Sequence, residues 1–531
     1  MDGTIPPLDQ LAHLKQRFGF TLLADEAHSL QCLGRTGRGC IELWNDEHPK
    51  APISLDLFDV RTATMSKSCG AIGGLVCGSV KFQKAILARR NELLAHGMDP
   101  LSPSAMVQTL YILGQPTQLQ RRLRRLKHMA MFVREELQRF GAYIYGDAMT
   151  PVLPVHAGRT SLAAKFSYVL RQLGVLATPI TVPAVPRWES RVRVCISADY
   201  DDQTVDKLVF AIISAAQAIG IIRKRVLQQR LYHYKNEEPT KQEEIESIRA
   251  KQNIQEIILR DGGRPCDVKY NANVLQAGHV ARQRYGLATG AARWITGTFP
   301  VHVVVEKAIA KLSRTPDAFT YVDSYVGLTS TIAALCRPSI GYNKHYICVP
   351  TNAPAAVFDG LRVAPKRCIP AVMQYDGLQS LLQTIQAVCG RKVYITLYVD
   401  TTLEDNRLAL NAIFERLNRL KGPSGMTILL NDIDGLGYLS DTELQFKPAE
   451  MSKFRGARLL VYGSFRPKLG LPGAYLTGNA QLVRELRYTS RGYMFTTSQP
   501  PYVMGMIAEA LREMLNARDE SLSSISVEPV S

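Results

Sequence analysis

No CxxC pair and no zinc-ligand spacing occurs in this 531-residue chain, although it holds ten cysteines. Scattered cysteines argue against a disulfide framework and against a bound metal, and favour the reduced thiols of an intracellular protein. Also missing is any run of about 20 apolar residues, the length that a membrane-spanning helix needs. The nearest approach is LVFAIISAAQAIGII (Leu208 to Ile222), followed by Arg223, Lys224 and Arg225. It is short, contains Gln217, and reads as a packed helix, with an interfacial helix bearing basic anchors as the alternative. The chain opens on MDGTIPPLDQL, which is turn-rich and polar rather than an apolar targeting segment. Aromatic residues do not interleave with basic ones, as stacking platforms for nucleic acid require. The run RRLRRLK (Arg121 to Lys127) therefore reads as a solvated or membrane-facing helix surface, and no nucleic-acid partner is expected.

What is present is enough for two or more domains with real cores, at an ordinary apolar fraction of 46%. The net charge of +17 permits an anionic partner, such as a membrane surface or a phosphorylated ligand. Short apolar runs at 21–24, 152–156, 192–197, 346–350, 393–399, 427–430 and 458–463 read as strands, with amphipathic helical runs between them. That alternation predicts an α/β fold with largely parallel sheets. The charge-dense stretch after Arg223 reads as a linker with helical pieces, and DESLSSISVEPVS as a disordered tail.

The chain also repeats itself. FGFTLLADEAHSLQCLG returns in degraded form as SGMTILLNDIDGLGYLS, and TATMSKSCGAIGGLVCGSVKF as LVYGSFRPKLGLPGAYLTGNAQL, in the same order. In register, Asp25 meets Asn431, His28 meets Asp434, and Lys67 meets Pro467.

Asp25 ends an apolar run, and ligands gather at the carboxyl ends of strands in open α/β sheets. Lys67, in TMSKSCGAIGG, ends a later one and is of the type that forms a Schiff base. A Schiff-base lysine with an aspartate that pairs with a pyridinium nitrogen is the chemistry of pyridoxal phosphate (PLP). Thr64 and the turn from Gly70 to Gly74 offer a hydroxyl and backbone N–H groups to a phosphate. Taken singly these are ordinary features: an aspartate capping a helix, a lysine in a solvated turn, a histidine satisfied in a core. The ordered combination is far more specific.

MDGTIPPLDQL, LADEAHSLQCLGRTGRG and TATMSKSCGAIGG together resemble the α-oxoamine synthase family of fold-type I PLP transferases. PAVPRWESRVRVCISA (Pro183 to Ala198) brings the resemblance closest to the lysine-bearing subunit of serine palmitoyltransferase. It implies Lys67 as the Schiff-base lysine, Asp25 on the pyridine nitrogen, His28 against the phenolic oxygen, Thr64 on the phosphate, and Arg193 on the substrate carboxylate. It also implies L-serine and a long-chain acyl-CoA as substrates, 3-ketosphinganine as product, and the cytosolic face of the endoplasmic reticulum membrane as location. The second half resembles the lysine-lacking partner subunit, through RYGLATGAARWITGTFPVHVVVEKAIAKL (Arg284 to Leu312) and RGYMFTTSQPP (Arg491 to Pro501). Asn431 supplies no carboxylate there, Pro467 forms no imine, and Lys468 is one residue out of register.

The expected organisation is two tandem, incomplete copies of one fold: 1–225 catalytic, 226–264 linker, 265–517 non-catalytic, and 518–531 tail. Both copies look cut short, as in the middle of a longer fusion. Asp99-Pro100 stands where the resemblance expects a phosphate-contacting hydroxyl. The halves are expected to pair with each other or within a homo-oligomer. Two readings stay open beside serine palmitoyltransferase: a sister enzyme using glycine or alanine, and a non-catalytic scaffold or regulatory pseudoenzyme.

Overall fold

The protein is described from a computed structural model, which covers residues 2–88, 103–113, 115–182, 184–222, 229–234, 271–337, 344–364, 371–388, 392–400, 425–432 and 457–518. Asp99-Pro100, Asp434, most of the 226–264 stretch and nearly all of the tail lie outside these residues. The chain divides into two compact units, one drawn mainly from residues 1–263 and one mainly from 264–531.

The first unit holds two small sheets. In one, β1 (Leu23–Asp25) runs parallel to β2 (Val60–Thr64), and β2 runs antiparallel to β3 (Gly74–Gly78). Helices α1 (Leu8–Phe18) and α2 (Cys40–Glu47) accompany it, and Leu8, Ile41, Leu57 and Phe58 form its core. The other sheet is wholly antiparallel, with β6 (Ser190–Cys195) central between β4 (Val152–Gly158) and β5 (Thr178–Ile180). Behind it pack α3 (Pro116–Arg139), α4 (Thr160–Gln172) and α5 (Asp202–Ala218). In α3 the buried residues Leu123, Leu126, Ala130, Val133 and Leu137 recur at helical spacing, which turns one stripe to the core. On its outer side Arg122, Arg125 and Lys127 pair with Asp199, Asp202 and Glu47, so RRLRRLK is a partly neutralised surface. Helix α5 starts where the Asp201 side chain accepts from Thr204 N, and buries Val205, Leu208, Val209, Ile212, Ala215 and Ala216. The apolar run 208–222 is thus largely core helix, and among the described residues no helix is long and apolar enough to cross a membrane.

Residues 229–234 correct the linker reading at those six positions. Arg230 pairs with fully buried Glu136 at 2.7 Å, and Tyr232, itself buried, sets its ring edge-on to Phe132.

The second unit is built on one seven-stranded sheet in the order β7-β13-β12-β11-β10-β8-β9. Its strands are β7 (Asp317–Tyr321), β8 (Lys344–Pro350), β9 (Ala371–Tyr375), β10 (Val393–Asp400), β11 (Gly425–Asn431), β12 (Ala457–Ser464) and β13 (Ala474–Gly478). Pairings from β12 through β9 are parallel, and β13 is antiparallel to both its neighbours. Every residue of β10 and β11 is buried, as expected of parallel strands covered on both faces. Helices α6 (Pro300–Leu312) and α7 (Pro501–Arg518) pack on this sheet through Val305, Ile309, Phe465, Tyr475 and Ile507. Parallel pairing therefore dominates here, whereas the first unit is mixed and antiparallel.

The sequence repeat is also a structural repeat. β1-β2-β3 and β11-β12-β13 share the same order and directions. Asp25 sits opposite Thr62 as Asn431 sits opposite Tyr462. Glu26 N donates to Thr62 O at 2.7 Å, and Asp432 N to Tyr462 O at 2.6 Å. After β2 and β12 the backbone passes through the same left-handed glycines: Gly70 (φ 57°) and Gly73 (φ 114°), Gly470 (φ 63°) and Gly473 (φ 113°). Those angles are open to glycine and strained for other residues, which is why TMSKSCGAIGG keeps them.

Candidate active site

Asp25 is the last residue of β1, where the strand opens at its carboxyl end. Its Oδ1 accepts from Ala27 N at 3.1 Å and from the Thr62 hydroxyl at 3.3 Å. His28 follows in the next turn and shares with Asp25 a cavity of about 480 Å³, walled by the 3–6 segment and by Thr150 to Val152. The protein around the imidazole and the positive charges of Lys67 and Arg193 hold its pKa down, to about 4, against the opposing pull of Asp25. His28 is thus neutral near pH 7.

Lys67 lies three residues beyond β2, half-buried, on a second cavity of about 530 Å³ that Gln31, Ser68 and Tyr111 also line. Desolvation pulls its pKa below the usual lysine value, Asp25 works against that, and Arg193 adds to it. A lysine poised in this way holds more of the neutral amine, the form that attacks a carbonyl.

Arg193 comes from the other sheet of the same unit. Period-2 alternation on β6 turns Val192 and Val194 into the core and sets Arg191 and Arg193 on the opposite side. The two arginines differ in what they meet. Arg191 is spent structurally: it pairs with Asp2 and Glu189, both at 3.0 Å, and stacks on Tyr145. Arg193 has no carboxylate within salt-bridge distance among the described residues, and its buried Nε has no hydrogen-bond partner. Of the two arginines in RVR, the second is therefore the one without a carboxylate partner among the described residues.

Four of the sequence-derived residues, Asp25, His28, Lys67 and Arg193, thus act on one another electrostatically although they come from three separate segments. Thr64 makes hydrogen bonds to Ser66, at 2.6 Å between hydroxyls and 3.2 Å from Ser66 N. Thr62 was not singled out from sequence. Its signal was strand register: it faces Asp25 across the β1–β2 pair. Glu26, beside Asp25, is buried and structural, accepting from Ser29 Oγ and from Cys40 N. Among the described residues no cluster suited to a metal ion occurs.

Residues 1–212 match the family model for aminotransferase class I and II. The first part of the chain is thus similar to a family of pyridoxal phosphate enzymes, and pyridoxal phosphate is the cofactor. Similarity to two fungal proteins runs through both halves. Aminotransferase FUM8 of Gibberella moniliformis is 27% identical over 95% of this chain and 98% of its own length. Aminotransferase ALT4 of Alternaria alternata is 26% identical over 97% of this chain and 68% of its own length. Serine palmitoyltransferase 2 of Saccharomyces cerevisiae is 33% identical over 39% of this chain and 37% of its own length. The closer sequence identity to that enzyme is thus confined to a smaller part of the molecule.

The first unit's residues fit such a cofactor and its amino-acid substrate. A half-buried lysine with depressed basicity, a strand-end carboxylate and a guanidinium with an unsatisfied buried nitrogen are of the types that would supply an amine, a pyridinium partner and a carboxylate anchor. At the equivalent places the second unit has Asn431, Pro467 and an exposed Lys468, which do not make such a set.

Proposed function

We propose that the first half catalyses the PLP-dependent condensation of L-serine with a long-chain acyl-CoA, releasing CoA and CO2 and giving 3-ketosphinganine. The observation that carries this reading is the partnerless guanidinium Nε of Arg193, on the same small group of charges as Lys67, His28 and Asp25. A substrate carboxylate is the group that would satisfy it. When bound, the cofactor supplies an electron sink for the pair left at the substrate's α-carbon. Lys67 takes the α-proton with its free amine. Asp25, steadied by Thr62, holds a proton on the pyridine nitrogen. His28, neutral at pH 7, lends a hydrogen bond without adding charge. Thr64 is assigned to the phosphate. A location at the cytosolic face of the endoplasmic reticulum membrane belongs to the same proposal and is supported by the net charge of +17.

A second reading is amino-group transfer without an acyl donor. It is favoured by the similarity to two proteins named aminotransferases across nearly the whole chain. One assay separates the two. The chain loaded with PLP is given L-serine, glycine or L-alanine with palmitoyl-CoA, and separately an amino donor with a 2-oxo acid. Release of CoA thiol with serine supports condensation, and release with only glycine or alanine moves the substrate to a sister reaction. Amino transfer with no thiol release overturns the proposal in favour of the second reading.

A further inference from the structure

Gln31 stands where the repeat has a glycine. DEAHSLQCLG aligns with NDIDGLGYLS, so Gln31 is in register with Gly437. Its backbone is left-handed, at φ 57°. Four non-glycine residues have positive φ among those described, and Gln31 is the buried one. That conformation costs a side chain more than it costs glycine, and such strain persists where something holds it.

What holds it is a set of contacts between two loops. The Gln31 carboxamide Oε1 accepts from the Cys69 thiol at 3.0 Å. Gln31 N donates to Gly37 O at 2.7 Å, and a Cβ at Gly37 would come within 3.0 Å of the Gln31 Cα. Beside it the Ser68 hydroxyl donates to Leu30 O at 3.2 Å, and from the other side Gln108 Nε2 donates to Cys69 O at 3.1 Å. Ser68 and Cys69 directly follow Lys67, while Leu30 and Gln31 lie two and three residues after His28. Gln31, Lys67 and Ser68 also line one cavity.

We propose that Gln31 is a positioning residue for Lys67: its carboxamide holds the thiol of Cys69, two residues after the lysine, to the turn that follows His28, and so fixes where the amine enters the cavity. The inference rests on the reading of Lys67 as the lysine that holds PLP. Glycine at position 31 would relax the backbone and lose the latch, so the left-handed glutamine exchanges local strain for a defined lysine.

Three variants test it in the full chain. Gln31→Gly suits the backbone and removes the side chain. Gln31→Asn tolerates the backbone but falls one methylene short of Cys69. Gln31→Glu keeps an oxygen at the same reach. Two quantities are read for each: the rate at which iodoacetamide alkylates Cys69 in the native protein, and the fraction of PLP that borohydride fixes on Lys67 at a set PLP concentration. Gln31→Gly and Gln31→Asn should raise Cys69 alkylation about fivefold, the factor that one ordinary hydrogen bond is worth. They should lower Lys67 capture by a similar factor, with a melting temperature equal to or above that of the parent. Gln31→Glu should keep both near the parent values, a rescue that a mere gain or loss of packing would not give. Unchanged alkylation and capture in Gln31→Gly and Gln31→Asn, or a Gln31→Glu that fails with them, would overturn the proposal. Label on a lysine other than Lys67 in the parent would instead sink the reading of the site, while the alkylation rates would still report on the latch.

Discussion

The three-stranded sheet of the first unit and strands β11 to β13 of the second have the same order, directions and glycine turns, yet different surroundings and different chemistry. β11 and β13 are buried throughout, because β10 flanks one and β7 the other. β1 and β3 hold only exposed and half-buried positions, with Leu23 60% and Val76 55% exposed. In the first copy, at strand ends within reach of solvent, stand Asp25, His28 and Lys67. In the second, Asn431 is sealed in the interior and donates to buried Asp400 at 3.3 Å. Pro467 is the second residue of a short helix, and Lys468 beside it is exposed. The comparison teaches that packing and backbone physics suffice for the same strand topology and turn geometry, whichever side chains stand at the strand ends. A glycine turn after a strand is therefore no sign of activity by itself.

The widest gap between the copies should appear at the lysine. Lys67→Ala should reduce turnover by about 10³-fold or more, since it removes both the covalent hold and the base. Lys468→Ala should leave turnover unchanged, and a loss there as large as at Lys67 would erase the distinction between the halves. Restoring a carboxylate to the second copy should not restore a site. Asn431→Asp places two buried carboxyls side by side and should cost about 3 kcal/mol in a denaturant titration. No loss of stability would mean that position 431 is as open as position 25.

Arg193→Gln should raise the KM for the amino acid about 10- to 100-fold, the range for a charge-assisted contact, while PLP capture by Lys67 stays constant. Equal KM values would remove Arg193 from the substrate. The smallest effect concerns acid sensitivity. His302 is fully buried, its Nδ1 accepting from Phe299 N at 3.1 Å and its Nε2 meeting Gln499 O at 2.9 Å, and burial holds its pKa at about 4. The unfolded chain takes up a proton near pH 6.5 that the folded chain refuses, so His302 lowers stability as pH falls from there toward 4. His302→Gln keeps an acceptor and a donor without titrating. It should remove about 2 kcal/mol of the stability lost between pH 7 and pH 5, seen as a flatter dependence of the unfolding midpoint on pH.

Much of this was legible in the sequence, and for reasons that can be stated. Strand positions were readable because fully buried strands such as VYITLYV are continuous apolar runs bounded by turns. The repeat was readable because the glycines at 70 and 73 and at 470 and 473 answer to the same backbone angles. Asp25 and Lys67 could be named because an aspartate and a lysine at strand ends suit that chemistry, and His28 and Arg193 only through the resemblance of their motifs to the α-oxoamine synthases. What stayed hidden depends on distance in space rather than along the chain. That Arg191 is spent on Asp2, 189 residues away, cannot be read from RVR. Nor can the Thr62 hydroxyl be placed on Asp25 without strand register. Composition marks 229–234 as linker, yet buried Glu136 needs cations, and Arg230 supplies one.

The central claim is that one copy carries the cofactor chemistry and the other carries only its scaffold. The most direct measurement is to incubate the full chain with PLP, reduce with borohydride, digest, and map the modified lysine by mass spectrometry while titrating cofactor to saturation. The account predicts label on Lys67, none on Lys468, and no more than about one PLP bound per chain, as a single lysine-bearing site requires. Label on Lys468, or two cofactors per chain, would contradict it.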